Sequence, residues 1–220
     1  NPVYQVHLAQ IFLARNTPKA AAEIFSEALT LFPDMYILRL GKGLALKELQ
    51  QYEQAERELL WCLAQRPGSP IAFDALATIY LHLSKFNETE QLSTEFLQRN
   101  PGDYRGYYFL AAARDGQMEP AEDIRKLLTE SMQRNPAFAA AHALMGKVLL
   151  REKRADEAVP HLRKAVELRP DLVQAHLYLA RALRLAGDET GAAREFELVR
   201  RLKDKEQEPR PALLYHRGSR

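Results

Sequence analysis

Five prolines recur at a nearly constant interval, and they restrict the fold of this chain more than any other feature. Pro33, Pro67, Pro101, Pro136 and Pro170 lie 34, 34, 35 and 34 residues apart. Because proline disfavours helical geometry in the residue before it, each of them predicts the end of a helix. Apolar residues at helical spacing precede each one, as in the stretch EAVPHLRKAVELRP. The period therefore predicts a tandem array of similar units.

Each unit contains two amphipathic stretches separated by a short polar turn. The segments at 44–52 and 150–156 are examples of such turns. One helix pair cannot bury its apolar face alone, so neighbouring pairs are expected to stack and share a continuous core.

Two helices per 34 residues resemble the tetratricopeptide repeat family, and the residue pattern supports the resemblance. With each proline counted as position 32, the frames are 2–35, 36–69, 70–103, 104–138, 139–172 and 173–206. Position 8 is small in all six frames: Ala9, Gly43, Ala77, Ala111, Gly146 and Ala180. The resemblance implies an all-α fold, a right-handed α-solenoid (superhelix) of antiparallel helix pairs, over residues 1–206.

Two parts of the chain depart from the repeat pattern. Repeats 3 and 4 have unusual residues at Thr89, Ser93 and Ile124, and repeat 4 has one extra residue within 114–120, so a local distortion of the stack is expected there. Residues 207–220 are predicted to form the end of a capping helix and an extended tail. The tail residues Leu213, Leu214 and Tyr215 are expected to pack on the last repeat, or alternatively to dock in a groove.

Composition excludes several classes of protein. Residues 1–138 carry 14 Lys and Arg against 17 Asp and Glu, and residues 139–220 carry 17 against 12. This asymmetry is too mild for a nucleic-acid protein, which needs a concentrated basic stripe. No apolar run approaches the roughly 18 residues of a membrane span. The lone Cys62 excludes an internal disulfide and leaves the compartment open, cytoplasmic or exported after removal of a segment before Asn1.

No motif promises catalysis, which requires groups that converge on one point. His142 and His176 occupy position 4 of adjacent repeats, roughly 10 Å apart at helix-packing distance, which is too far to share a metal. Helix packing is therefore their expected role. Cys62 occupies a small buried repeat position and is expected to be an inert core thiol. We expect no catalytic residue, no cofactor and no metal site.

The resemblance also implies where a ligand would bind. In tetratricopeptide proteins, positions 2, 5, 9 and 12 of the first helix line a concave groove. The amino-terminal half of that groove would hold Val3, Val6, Leu13, Ile37, Leu40, Leu44, Ile71 and Leu81, some of them as core. The carboxy-terminal half would hold Arg105, Tyr108, Lys147, Arg151, Gln174, Tyr178, Arg181 and Arg184. A solvated charged face is the simpler interpretation of these cations.

The predicted function is that of a non-catalytic scaffold that binds a protein or peptide through this groove. A groove that passes from apolar to basic suits a ligand with an apolar stretch and with acidic groups or a free carboxylate. Lys never occupies position 5 in any frame, so the clamp that holds chaperone C-termini is absent. Two alternatives remain: a recruiting segment of a larger enzyme, and a self-association module. The chain is expected to be a monomer or to self-associate weakly through its tail.

Overall fold

The structure is a computed structural model that describes residues 2–15 and 17–207. These residues form twelve α-helices and no strand. The helices are α1 (Pro2–Ala14), α2 (Pro18–Leu31), α3 (Tyr36–Glu48), α4 (Tyr52–Gln65), α5 (Pro70–His82), α6 (Phe86–Arg99), α7 (Tyr104–Gly116), α8 (Ala121–Arg134), α9 (Ala139–Arg151), α10 (Ala155–Leu168), α11 (Val173–Leu185) and α12 (Glu189–Gln207). The predicted all-α fold of antiparallel helix pairs is confirmed. The tail residues Leu213, Leu214 and Tyr215 lie outside the described residues.

The recurring prolines end helices as predicted. Each of the helices α2, α4, α6, α8 and α10 stops two residues before its proline. The residues between helix and proline have similar extended conformations, with φ between −131° and −142° and ψ between 64° and 89°. Proline excludes the helical conformation from the residue before it, which explains why these five ends are alike.

The turns inside the repeats share a feature that the sequence did not reveal. Gln50, Ser84, Met118, Lys153 and Gly187 all have positive φ, between 56° and 88°, and they occupy the same repeat position. The next residue donates its amide to a carbonyl five residues earlier, as Arg154 does to Leu149. This is the Schellman motif, which normally uses glycine. Only one of the five is glycine, so the others hold strained backbone.

The extra residue of repeat 4 lies in its turn and leaves the helices unchanged. Residues 117–120 connect α7 to α8, whereas three residues connect the two helices of each other repeat. Both α7 and α8 keep the usual lengths of 13 and 14 residues. A longer loop thus absorbs the insertion.

The helices group into two compact units, with α1–α8 in the first and α9–α12 in the second. In the first unit, apolar side chains from successive helices form the core, for example Phe25, Leu59 and Leu76. In the second unit, Val148, Leu162 and Ala180 are buried in the same way. Each core lies between first and second helices, so one face of every first helix is used for packing.

Small residues at position 8 allow the two helices of a repeat to approach closely. All six are buried. A β-carbon on Gly146 would lie 2.3 Å from Leu162 Cγ, and one on Gly43 would lie 3.0 Å from Leu59 Cγ. Distances this short leave no room for a side chain, so close contact explains the small residues.

Repeat 3 fills its core with a different pair of residues. Ser93 replaces the large apolar residue found at this position in most repeats, and its buried hydroxyl has no hydrogen-bond partner among the described residues. One turn later, Phe96 replaces a small residue and stacks on Phe73, with ring centroids 3.9 Å apart. The exchange of large and small residues keeps the core volume nearly constant.

In three repeats, a polar pair between residues 19 apart joins the two helices. Glu58 forms an ion pair with Arg39 at 3.1 Å. His142 and His161 approach to 3.4 Å between their Nδ1 atoms, and burial, followed by the charge of His142, lowers the pKa of His161. His176 is buried, with Nδ1 2.6 Å from Glu195 and Nε2 3.0 Å from the Pro170 carbonyl, as expected for a packing histidine.

We expect Gly146→Ala to lower the free energy of unfolding by about 1–3 kcal/mol, and Gly146→Leu by more, because the added carbon overpacks Leu162. Urea denaturation measures the change. Gly102→Ala is the control, since a β-carbon at Gly102 meets nothing within 4 Å. A Gly146→Leu melt indistinguishable from that of the parent protein would contradict the close packing.

The turn residues with positive φ predict opposite effects of two substitutions. Lys153→Gly should raise the free energy of unfolding by about 0.5 kcal/mol, because relief of left-handed strain outweighs the added chain entropy. Gly187→Ala should lower it by about 1 kcal/mol, although its β-carbon would meet nothing within 4 Å. Equal stabilities of both variants and the parent would show that the turns carry no strain.

Candidate functional site

Aliphatic side chains on successive first helices remain exposed in the first unit. Val3, Ile37 and Ile71 occupy position 2 of their repeats and are 53%, 38% and 53% exposed. The helices that carry them, α1, α3 and α5, pack side by side. A cavity of about 920 Å³ opens beside two of these residues, and its apolar lining includes Met35, Ile37, Leu40, Pro70 and Ile71. We call Val3, Ile37 and Ile71 the aliphatic row.

The other apolar residues predicted for this half of the groove do not form an exposed surface. Val6 and Leu40 are buried and belong to the core. Leu44 and Leu81 are half-buried. The side chain of Leu13 lies outside the described residues. Among the residues predicted for this half of the groove, position 2 therefore supplies the exposed aliphatic side chains.

Arg105 and Tyr108 lie on α7 in the first unit, and together they do not form a basic surface. The Arg105 guanidinium donates two hydrogen bonds to the Asp103 carboxylate, at 2.9 and 2.7 Å, so its charge is neutralised locally. Burial, and then the charge of Asp74, raises the pKa of the Tyr108 hydroxyl to about 12. The Arg105 charge that the sequence suggested for a ligand already has a partner within the protein.

The remaining predicted residues lie on α9 and α11 of the second unit, two first helices that pack together. Lys147 and Arg181 share position 9 and are both exposed. Gln174, two turns before Arg181, is exposed, and Tyr178, one turn before it, is half-buried. No hydrogen bond or ion pair holds Arg181 within the described part of the chain. These residues form what we call the α9–α11 face.

Arg151 and Arg184 stand at the ends of the same two helices. Arg151 is half-buried in the last turn of α9. Arg184 is exposed, and its guanidinium lies 5.5 Å from the ring centre of Phe196 on α12. A cation over an aromatic face at this distance is weakly attracted to it, which directs Arg184 toward α12.

One charged residue with a distinctive setting was not among the predicted site residues. Asp74 lies on α5, one turn after Ile71, and is half-buried. Burial raises the pKa of its carboxyl group, although the charges of Lys47 and Arg105 oppose the change. The sequence could not single out Asp74, because its place at position 5 does not show whether the neighbouring cations already pair with other residues.

The described residues contain no group of three or more His, Cys, Asp and Glu side chains able to hold a metal ion. Cys62 is fully buried, and burial raises the pKa of its thiol to about 11. A thiol in this state is a poor nucleophile at neutral pH. None of the helices within 2–15 and 17–207 combines the length and apolarity needed to cross a bilayer.

A family model for the tetratricopeptide repeat matches residues 121–173 and 143–206. No curated protein matches the chain. Solved structures share the fold at low identity. PilF of Pseudomonas aeruginosa is 16% identical, with 92% of each chain covered and a TM-score of 0.73. A tetratricopeptide protein of Thermus thermophilus is 23% identical over 78% of this chain and 93% of its own, with a TM-score of 0.67.

YrrB, a tetratricopeptide protein with an unusual peptide-binding site, is 15% identical over 83% of this chain and 94% of its own, with a TM-score of 0.53. These likenesses concern the fold. The family model matches residues 121–206. In the first half of the chain, the helix pairs, the prolines that end helices and the small residues at position 8 follow the same pattern. The chain thus resembles the tetratricopeptide repeat family in its fold, and residues 121–206 match the family in sequence.

Proposed function

We propose that this chain is a non-catalytic scaffold that binds a protein or peptide partner through the exposed faces of its first helices. Proteins of this fold generally act as frameworks for protein–protein interaction, and the specificity of a fold lies in its surface residues. YrrB, which shares the fold, has a peptide-binding site. The aliphatic row and the α9–α11 face are the surfaces that would select the partner.

One observation carries the proposal for the second unit. Lys147 and Arg181 occupy the same position on packed first helices, and both are exposed. Arg181 forms no hydrogen bond or ion pair among the described residues, whereas Lys164 pairs with Glu167 and Arg169 with Asp171, both at 2.9 Å.

The chemistry of the α9–α11 face favours an acidic ligand. Lys147 and Arg181 donate hydrogen bonds and carry positive charge, so carboxylates are suitable acceptors. Tyr178 adds aromatic contact area beside the charges, and Gln174 adds an amide that can donate or accept. A peptide with acidic side chains or a free carboxylate fits this set of groups. The aliphatic row of the first unit would bind apolar side chains of the same kind of partner.

The double substitution Lys147→Glu with Arg181→Glu should reduce partner capture at least tenfold, because it replaces attraction for acidic groups with repulsion. Capture from lysate by the intact chain, followed by quantitative mass spectrometry, measures the effect. The proteins lost on substitution should carry acidic segments.

The matched control is Arg163→Glu with Arg194→Glu, which makes the same charge change on exposed residues of the second helices α10 and α12. The control should capture the parent's partners at parent levels. If the first variant also remains folded and captures the same partners as the parent, the α9–α11 face does not bind them.

A further inference from the structure

Asp74 differs from the other buried and half-buried carboxylates of the first unit in having no partner for its carboxylate among the described residues. Glu58 pairs with Arg39 and Lys42 at 3.1 and 2.9 Å, and Glu56 accepts from Tyr80 and Lys85 at 2.9 and 3.1 Å. Among the described residues, the one side-chain hydrogen bond to Asp74 is donated by the Thr78 hydroxyl to the Asp74 backbone carbonyl, at 2.7 Å. A half-buried carboxylate that accepts no hydrogen bond has lost part of its hydration without a compensating interaction within the protein.

The cations nearest to Asp74 are engaged elsewhere. Lys47 forms an ion pair with Glu48 at 3.2 Å. Arg105 is held by both oxygens of Asp103. Their charges favour the ionised form of Asp74 from a distance, yet neither comes within 4.0 Å of its carboxylate in the described part of the chain. The Asp74 carboxylate is therefore available to pair with a cationic group of a ligand.

Exposed aliphatic surface lies directly beside this carboxylate. Ile71 precedes Asp74 by three residues on α5, so the two side chains are neighbours on one face of the helix. Ile37 occupies the equivalent position to Ile71 on the adjacent helix α3. The cavity of about 920 Å³ borders both isoleucines, and its lining is mostly apolar, with Asp34 and Arg66 as the charged members. Asp74 follows the lining residue Ile71 by one helical turn, so a ligand that fills the cavity could also reach the Asp74 carboxylate.

We propose that Asp74 and the cavity beside Ile37 and Ile71 bind a peptide segment in which a Lys or Arg side chain adjoins an aliphatic residue. The cationic group pairs with the Asp74 carboxylate, and the aliphatic side chain enters the cavity. Charge complementarity selects this occupant, because an acidic or purely apolar segment would leave the Asp74 charge unpaired. The inference rests on the proposed function, and it names the chemistry that the first unit recognises.

The test is selection from a library of random peptides displayed on phage against the immobilised, full-length chain. The wild-type protein is compared with Asp74→Asn, which keeps the shape of the side chain and removes its charge. The control is Asp156→Asn, an exposed position on α10 with the same change of charge. Thermal melts establish that all three proteins are folded.

Wild type and Asp156→Asn should both enrich peptides with Lys or Arg next to Ile, Leu or Val at least fivefold over the starting library. Asp74→Asn should lose the preference for basic residues and keep the aliphatic one. A selected peptide, N-acetylated and C-amidated, should bind wild type at least tenfold more tightly than Asp74→Asn. Ile71→Ser, at an exposed position, should weaken binding of the same peptide severalfold.

Three results would overturn the inference. If the selected peptides show no enrichment in Lys or Arg, the inference about Asp74 is wrong. Peptide binding by the first helices would still be supported by that result. Equal basic enrichment on wild type and Asp74→Asn would show that another group recognises the cation. Binding that requires a free amino terminus would identify the ligand as a terminal ammonium. The proposed function is judged separately, by the charge reversal on α9 and α11.

Discussion

The first and second helices of each repeat approach so closely that the first helix has no space for a large side chain at position 8. This contact fixes how the two helices face each other, because Leu162 occupies the volume above Gly146. The same arrangement places residues 19 apart opposite one another, which explains the pairs His142–His161 and His176–Glu195. With one face of each first helix fixed in this way, Val3, Ile37 and Ile71 at position 2 and Lys147 and Arg181 at position 9 are left toward solvent.

Most of the fold could be predicted from the sequence, because its main signals are steric. Prolines mark five helix ends, and small residues at position 8 mark the close contact between the two helices of each repeat. The left-handed turns could not be predicted, since Gln50, Ser84 and Met118 have no shared chemistry and only Gly187 carries the usual signal. The expected distortion of repeat 4 did not extend into its helices, because the loop between α7 and α8 accommodated the extra residue.

The surface was less predictable, because it depends on which charges already have partners. Sequence spacing placed Lys147 and Arg181 on exposed first-helix positions, where the structure finds them. The same spacing could not show that Asp103, only two residues away, engages Arg105. It also gave no reason to single out Asp74, whose setting follows from the other partners of Lys47 and Arg105. Helical periodicity predicts exposure, whereas pairing requires three-dimensional distances.

The four-residue turn at 117–120 has a practical consequence for protein engineering. Natural variation within this one chain shows that a connection between paired helices tolerates lengthening, with 13 and 14 helical residues preserved on either side. Loop-closure entropy rises only slowly with length, so a longer insertion there would cost about 0.6 kcal/mol for each doubling of the loop. A fluorescent reporter or an affinity peptide could be carried at this turn without interrupting α7 or α8.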